Sequence, residues 1–127
     1  MKAAVVVANE DVQYLDYEEP IPGPGEVKVK VRASGICGSD IPRVLHNGVH
    51  FYPIVLGHEF SGDVVEIGEG VTKVKVGDRV SGAPLKPCMK CDDCQNGNFS
   101  LCKHYSFIGS REQAVSYTHL TLPTILR

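Results

Sequence analysis

At 127 residues the chain is long enough for one domain with a modest core. Hydrophobic residues make up 43% and charged residues 22%, and no apolar run approaches the roughly 20 residues of a membrane helix, which weighs against a membrane partner. Thirteen basic against fifteen acidic residues leave a formal charge of −2, which argues against nucleic-acid binding, a role that shows as a basic patch or stripe.

The apolar start, Ala3 to Ala8, is cut short by Glu10 and Asp11. That is too short for a secretory leader and predicts a first strand over residues 2–7, with a second over 12–17. Pro20, Pro22 and Pro24, interleaved with Gly23 and Gly25, exclude helix and central strand, since proline lacks an amide donor and fixes φ. From Glu26 to Ala33 the chain alternates strictly. Val27, Val29, Val31 and Ala33 share one face, and Lys28, Lys30 and Arg32 form a solvated opposite face. A short helix is predicted over 39–45, with Ser39 or Asp40 as N-cap and Pro42 in the first turn. Strands are expected over 63–67 and 78–81, and glycine marks almost every junction. The sum is a mainly β, barrel-like domain with an irregular lobe over 84–104.

Residues 114–127 depart from this pattern. Residues 115–124 read as one translation frame of a transposase adapter used in sequencing libraries, and the adapter bases before that frame extend to Ala114. The expectation is one native domain over 1–113 and a non-native tail over 114–127 with no partner surface in the barrel, the natural protein continuing past 113.

Cys88, Cys91, Cys94 and Cys102 are the strongest chemical signal. Five cysteines in all is an odd number, and four crowded into one lobe do not make a secreted disulfide framework; reduced thiols holding a metal in the cytosol fit better. Four thiolates at this spacing can close around one tetrahedral Zn²⁺, leaving no open position, so such a site stabilises a loop and performs no chemistry. Only Met89, Phe99 and Leu101 are apolar inside the lobe, too few for a core. The bland alternative of buried free cysteines meets polar neighbours in Lys90, Asp92, Asp93 and Gln95. A zinc ribbon that binds protein or nucleic acid is the alternative from another class, with acidic Asp92 and Asp93 against it.

Cys37 and the pair His58-Glu59 supply a second, mixed set. Cysteine, histidine and carboxylate with room for water is the donor set of a catalytic zinc. Cys37-Gly38-Ser39-Asp40, then Gly57-His58-Glu59, then Val76-Gly77-Asp78-Arg79-Val80, then the four-cysteine lobe, resemble the zinc-containing medium-chain dehydrogenases over residues 1–113. Ser39 to Arg43, Asn47 to Pro53 and Phe107 to Arg111 are similar to the galactitol-1-phosphate 5-dehydrogenase branch, beside sorbitol dehydrogenase.

The resemblance implies a GroES-like, partly open β-barrel with a zinc-bound structural lobe, followed in the family by a Rossmann domain absent from these residues. It implies two zinc ions per complete chain. By position, Cys37 and His58 match catalytic zinc ligands, and Glu59 matches a carboxylate that ligates or exchanges with water. Ser39 matches the hydroxyl that relays the substrate proton, and Asp40 an acceptor that orients His58. The family has a further glutamate beyond residue 113, and Pro42 stands where some alcohol dehydrogenases carry a relay histidine. The reaction implied is oxidation of a secondary hydroxyl of a polyol or polyol phosphate with hydride transfer to NAD, bound mainly by the missing domain, in a cytoplasmic homodimer or homotetramer. A sorbitol, threonine or other secondary-alcohol dehydrogenase is the alternative within the class; a non-enzymatic zinc module is the distant one. Phe51, Tyr52 and Ile54 are candidate cleft lining or ordinary core. His46 and His50, near Arg43, suggest phosphate contact or a solvated face, and His104 reads as surface.

Overall fold

The structure, a computed structural model, describes residues 1–111 and the backbone of His119–Pro123. Strands β1 (Lys2–Ala8) and β2 (Asp11–Asp16) form an antiparallel hairpin turning at Glu10, whose φ is 64°. Both faces of β1 are covered. Ala3 and Val5 pack with Val55, while Val6 packs with Ile54 and Leu56. Phe51 and Ile54 therefore belong to core packing and not to a cleft wall: Ile54 is fully buried and Phe51 leans on the same cluster. Tyr52 is exposed, its hydroxyl accepting the Val49 amide at 3.4 Å.

The main sheet has the order β5-β4-β3-β8, with β3 (Glu26–Gly35), β4 (Glu59–Ile67), β5 (Arg79–Ser81) and β8 (His119–Pro123). Val27 and Val29 of β3 point into a core with Phe60, Val64 and Ile108, as their alternation predicts. The opposite face of β3 is not uniformly solvated. Lys28 is buried, with its ammonium 2.6 Å from Glu19 and 3.6 Å from Glu66, so its stem fills apolar space while the head is paired. At the other end the register shifts between Val31 and Ala33, and Ala33 turns outward instead of continuing the buried row.

Strand β4 begins four residues earlier than its apolar pattern announces. The inward position after Phe60 is Gly62, where a Cβ would overlap the Lys30 carbonyl across the sheet. Close backbone approach demands glycine there and so interrupts the hydrophobic period.

The predicted helix is a single turn, α1 (Asp40–Pro42), running into a wider π-type turn over Arg43–Asn47. Ser39 stands at the N-cap position, but its side chain makes no capping bond. The lobe carries α2 (Asp92–Gln95), a 3₁₀ turn (Phe99–Leu101) and the two-residue strands β6 (Leu85–Lys86) and β7 (Ser106–Phe107), which pair with each other. No helix of the described residues is long and apolar enough to cross a membrane.

The expectation that the tail finds no partner is corrected in part. His119–Pro123 pairs antiparallel with Glu26 to Lys30 of β3. Such pairing uses only backbone donors and acceptors, so an open edge accepts an extended segment of any origin. The rest of the tail, residues 114–118 and 124–127, lies outside the described residues.

Candidate metal centres

The four lobe cysteines converge. Their sulfurs all lie within 4.8 Å of one another, with Cys88–Cys94 and Cys91–Cys102 each at 3.9 Å. Four sulfurs at the vertices of a tetrahedron around zinc, with metal–sulfur bonds of about 2.3 Å, stand about 3.8 Å apart. The donor set fits zinc in number, type and spacing. Local backbone geometry prepares it. Met89 takes a φ of 60°, a left-handed conformation that lets the amides of Lys90 and Cys91 both donate to the Cys88 sulfur, at 3.5 and 3.4 Å. Gln95 holds the turn by donating to the Met89 carbonyl at 2.9 Å. Those amides bring the Cys88 thiol down to about 6, whereas burial pushes Cys94 up to about 12. One sulfur is ready to be an anion and another resists it, the conflict a divalent cation removes by deprotonating coordinated thiols outright.

Cys37, His58 and Glu59 form the second cluster, with one donor atom from each within 4.8 Å of the others. Cys37 follows the end of β3, while His58 and Glu59 stand at the start of β4, the strand paired beside it, Gly35 opposite Glu59. A Cβ on Gly35 would come 2.7 Å from Glu59 Oε2, so glycine leaves the carboxylate its position. His58 is buried, edge-on to Phe107 at 5.4 Å between centroids. Glu59 is exposed, toward an open cleft of about 540 Å³ lined by Gly35, His58, Phe60, Ser81 and Pro84.

Ser39 and Asp40 surround this shell. The Ser39 hydroxyl donates to the Cys37 sulfur at 3.3 Å and accepts from Arg43 Nη1 at 3.2 Å. Asp40 is buried. Its Oδ1 receives Arg43 at 3.3 Å and lies 3.7 Å from His58 Nδ1, beyond hydrogen-bond reach. Asp40 Oδ2 and His58 Nδ1 are both buried without a partner. Buried unsatisfied groups cost about 1–3 kcal/mol each. The structure therefore brings Cys37, His58 and Glu59 together, with Ser39 and Asp40 beside them. Arg43, which the sequence suggested only beside His46 and His50 as a phosphate contact, touches both. Its spacing of four from Ser39 on a helical turn was the available signal. His46 and His104 are exposed; His50 is exposed but shares two hollows with Arg43.

Residues 23–124 match the family described as the alcohol dehydrogenase GroES-like domain. Galactitol 1-phosphate 5-dehydrogenase of Escherichia coli K12 is 54% identical over 86 residues, 68% of this chain and 25% of that protein. Sorbitol dehydrogenase of Halalkalibacterium halodurans is 43% identical over 115 residues, 88% of this chain and 34% of that protein. The crystal structure of galactitol-1-phosphate dehydrogenase from Escherichia coli superimposes with a TM-score of 0.92 at 42% identity, covering 98% of this chain and 36% of that one. The chain thus spans between a quarter and about a third of the length of these relatives.

Proposed function

This chain belongs to the alcohol dehydrogenase GroES-like domain family, and we propose that it is the catalytic domain of a zinc-dependent oxidoreductase that oxidises a secondary hydroxyl of a polyol or polyol phosphate, with NAD as hydride acceptor. The observation that carries the reading is the convergence of Cys37, His58 and Glu59 beside the Ser39 hydroxyl. Cys37, His58 and Glu59 would hold a zinc ion, which when bound supplies Lewis-acid chemistry that makes a substrate hydroxyl more acidic.

The chain's own residues do the rest. Ser39, poised between the Cys37 sulfur and Arg43, accepts the proton leaving the substrate hydroxyl. Asp40 holds Arg43 from the buried side and stands 3.7 Å from His58 Nδ1, placed to orient that ring once the two close to hydrogen-bond distance. Pro42 offers no relay in the next turn, so the proton leaves through water in the open cleft. A nicotinamide would have to reach this cleft from a second domain, since the sequence contains no Gly-x-Gly-x-x-Gly run. The complete enzyme is expected to reduce NAD with galactitol 1-phosphate or sorbitol and to lose that activity on chelation, recovering it with zinc. An enzyme that oxidises no polyol or secondary alcohol after zinc loading would overturn the reading.

The tail is proposed to be adapter-derived from Ala114 onward. Sequencing the genomic locus should show other codons after Gln113; finding these fourteen in the chromosome would refute that origin.

A further inference from the structure

A basic hollow adjoins the Cys37–His58–Glu59 shell. Two neighbouring spaces, of about 310 and 240 Å³, share Arg43, His50 and Ser110. Arg111 and Tyr105 line one of them and Asn47 the other, and among the described residues no carboxylate lines either. Two guanidinium groups and an imidazole thus face common space in a chain whose net charge is −2.

Each cation is positioned with donors to spare. The contacts of Arg43 to Ser39 and Asp40 both use Nη1, which leaves its other guanidinium nitrogens for an anion. The Arg111 guanidinium lies over the Tyr105 ring at 4.4 Å, a stacking that occupies its face and leaves the N–H edge open. The turn that presents Arg111 is tight. Ser110 and Arg111 both donate their amides to the Phe107 carbonyl, at 3.3 and 3.0 Å, and Gly109 supplies a φ of 70°. The Ser110 residue is itself only 5% exposed.

The hollow is joined to the reacting centre from two sides. Phe107, which lines it, stands edge-on against His58. Arg43 is 3.2 Å from the Ser39 hydroxyl, which is 3.3 Å from the Cys37 sulfur. We propose that Arg43, His50 and Arg111 seat the phosphoryl group of a polyol phosphate, anchoring the far end of the substrate while its secondary hydroxyl meets the Cys37–His58–Glu59 shell. Planar guanidinium forks suit phosphoryl oxygens, which they can grip with paired hydrogen bonds. The inference rests on the dehydrogenase reading and narrows its substrate to the phosphorylated class.

The test has two arms. In the first, the 127-residue chain is titrated with inorganic phosphate at constant ionic strength while its amide resonances are followed. Phosphate should shift His50, Ser110 and Arg111, sodium chloride should not, and Arg111→Gln should weaken phosphate binding about tenfold. In the second, the complete enzyme is assayed with galactitol 1-phosphate and with galactitol. Arg111→Gln and His50→Asn should raise KM for the phosphate ester several-fold, leaving kcat and the kinetics of galactitol nearly unchanged. Equal shifts with phosphate and chloride would overturn the seat, as would equal loss toward both polyols or a rise confined to the KM for NAD, which would give the hollow to the coenzyme's phosphates. If the enzyme oxidises no polyol at all, the dehydrogenase reading fails separately, and the phosphate titration alone decides whether the hollow binds phosphate.

Discussion

Ser39 shows how much a single side chain can be asked to do. It occupies the N-cap position of α1, where serine would ordinarily satisfy a free amide, yet it makes no such bond. Its hydroxyl is committed to the Cys37 sulfur and to Arg43. Replacing it with alanine should therefore leave folding almost untouched. In the complete enzyme turnover should fall on the order of 10²-fold or more with a smaller change in KM, the mark of a group that matters as charge moves. Steady-state kinetics across pH would check this, and unchanged turnover at every pH would remove Ser39 from the proton path. At this scale the sequence was informative because metal donors are few in kind. Cys37, His58 and Glu59 stand out by type, and their convergence needed only that β3 and β4 pair. Arg43 stood out only as a neighbour of His46 and His50, since nothing in the sequence says which side chains an arginine on a short helix will meet.

Among the elements, the lobe depends most on something other than apolar packing. Apart from Cys94 and Cys102 its residues are half-buried or exposed, and its helix has four residues and its 3₁₀ turn three. A structural zinc contributes folding energy directly in such a segment. Cys91→Ser breaks the closed shell and should cost one zinc per chain, while residues 84–104 become sensitive to protease. Metal analysis with limited proteolysis reads both, and unchanged zinc content would sink the four-thiolate site. The strands were legible where side chains alternate, as along β3. They were not legible where backbone contact overrides the pattern: Gly62 leaves a gap in the period of β4 because the Lys30 carbonyl needs its space. Lys28 misled for a related reason, its polarity concealing a buried stem paired to Glu19 and Glu66. The two-residue strands β6 and β7 are too short for any period to show.

For the molecule as a whole, the two candidate metal sites differ in what these 127 residues supply. Cys88, Cys91, Cys94 and Cys102 make a complete tetrahedral set within one lobe. Cys37, His58 and Glu59 make three donors, one of them exposed, beside a cleft of about 540 Å³ that nothing in the described residues closes. Closed four-ligand shells hold zinc for structure, whereas three-ligand shells keep a position open, and here one of the three donors, Glu59, is exposed. The purified chain should accordingly bind about one zinc ion tightly and a second weakly, as metal titration against a competing chelator would resolve. Fast hydride transfer further requires that a nicotinamide be positioned and water expelled, and both need a wall opposite the cleft. The chain spans 36% of its solved relative from Escherichia coli, and its glycines form no dinucleotide-binding run. It should therefore show no NAD-dependent oxidation of galactitol 1-phosphate, sorbitol or threonine, even with both metal sites filled. Calorimetry that found tight, stoichiometric NAD binding to these 127 residues would place the coenzyme site here and overturn the proposal that a second domain supplies it.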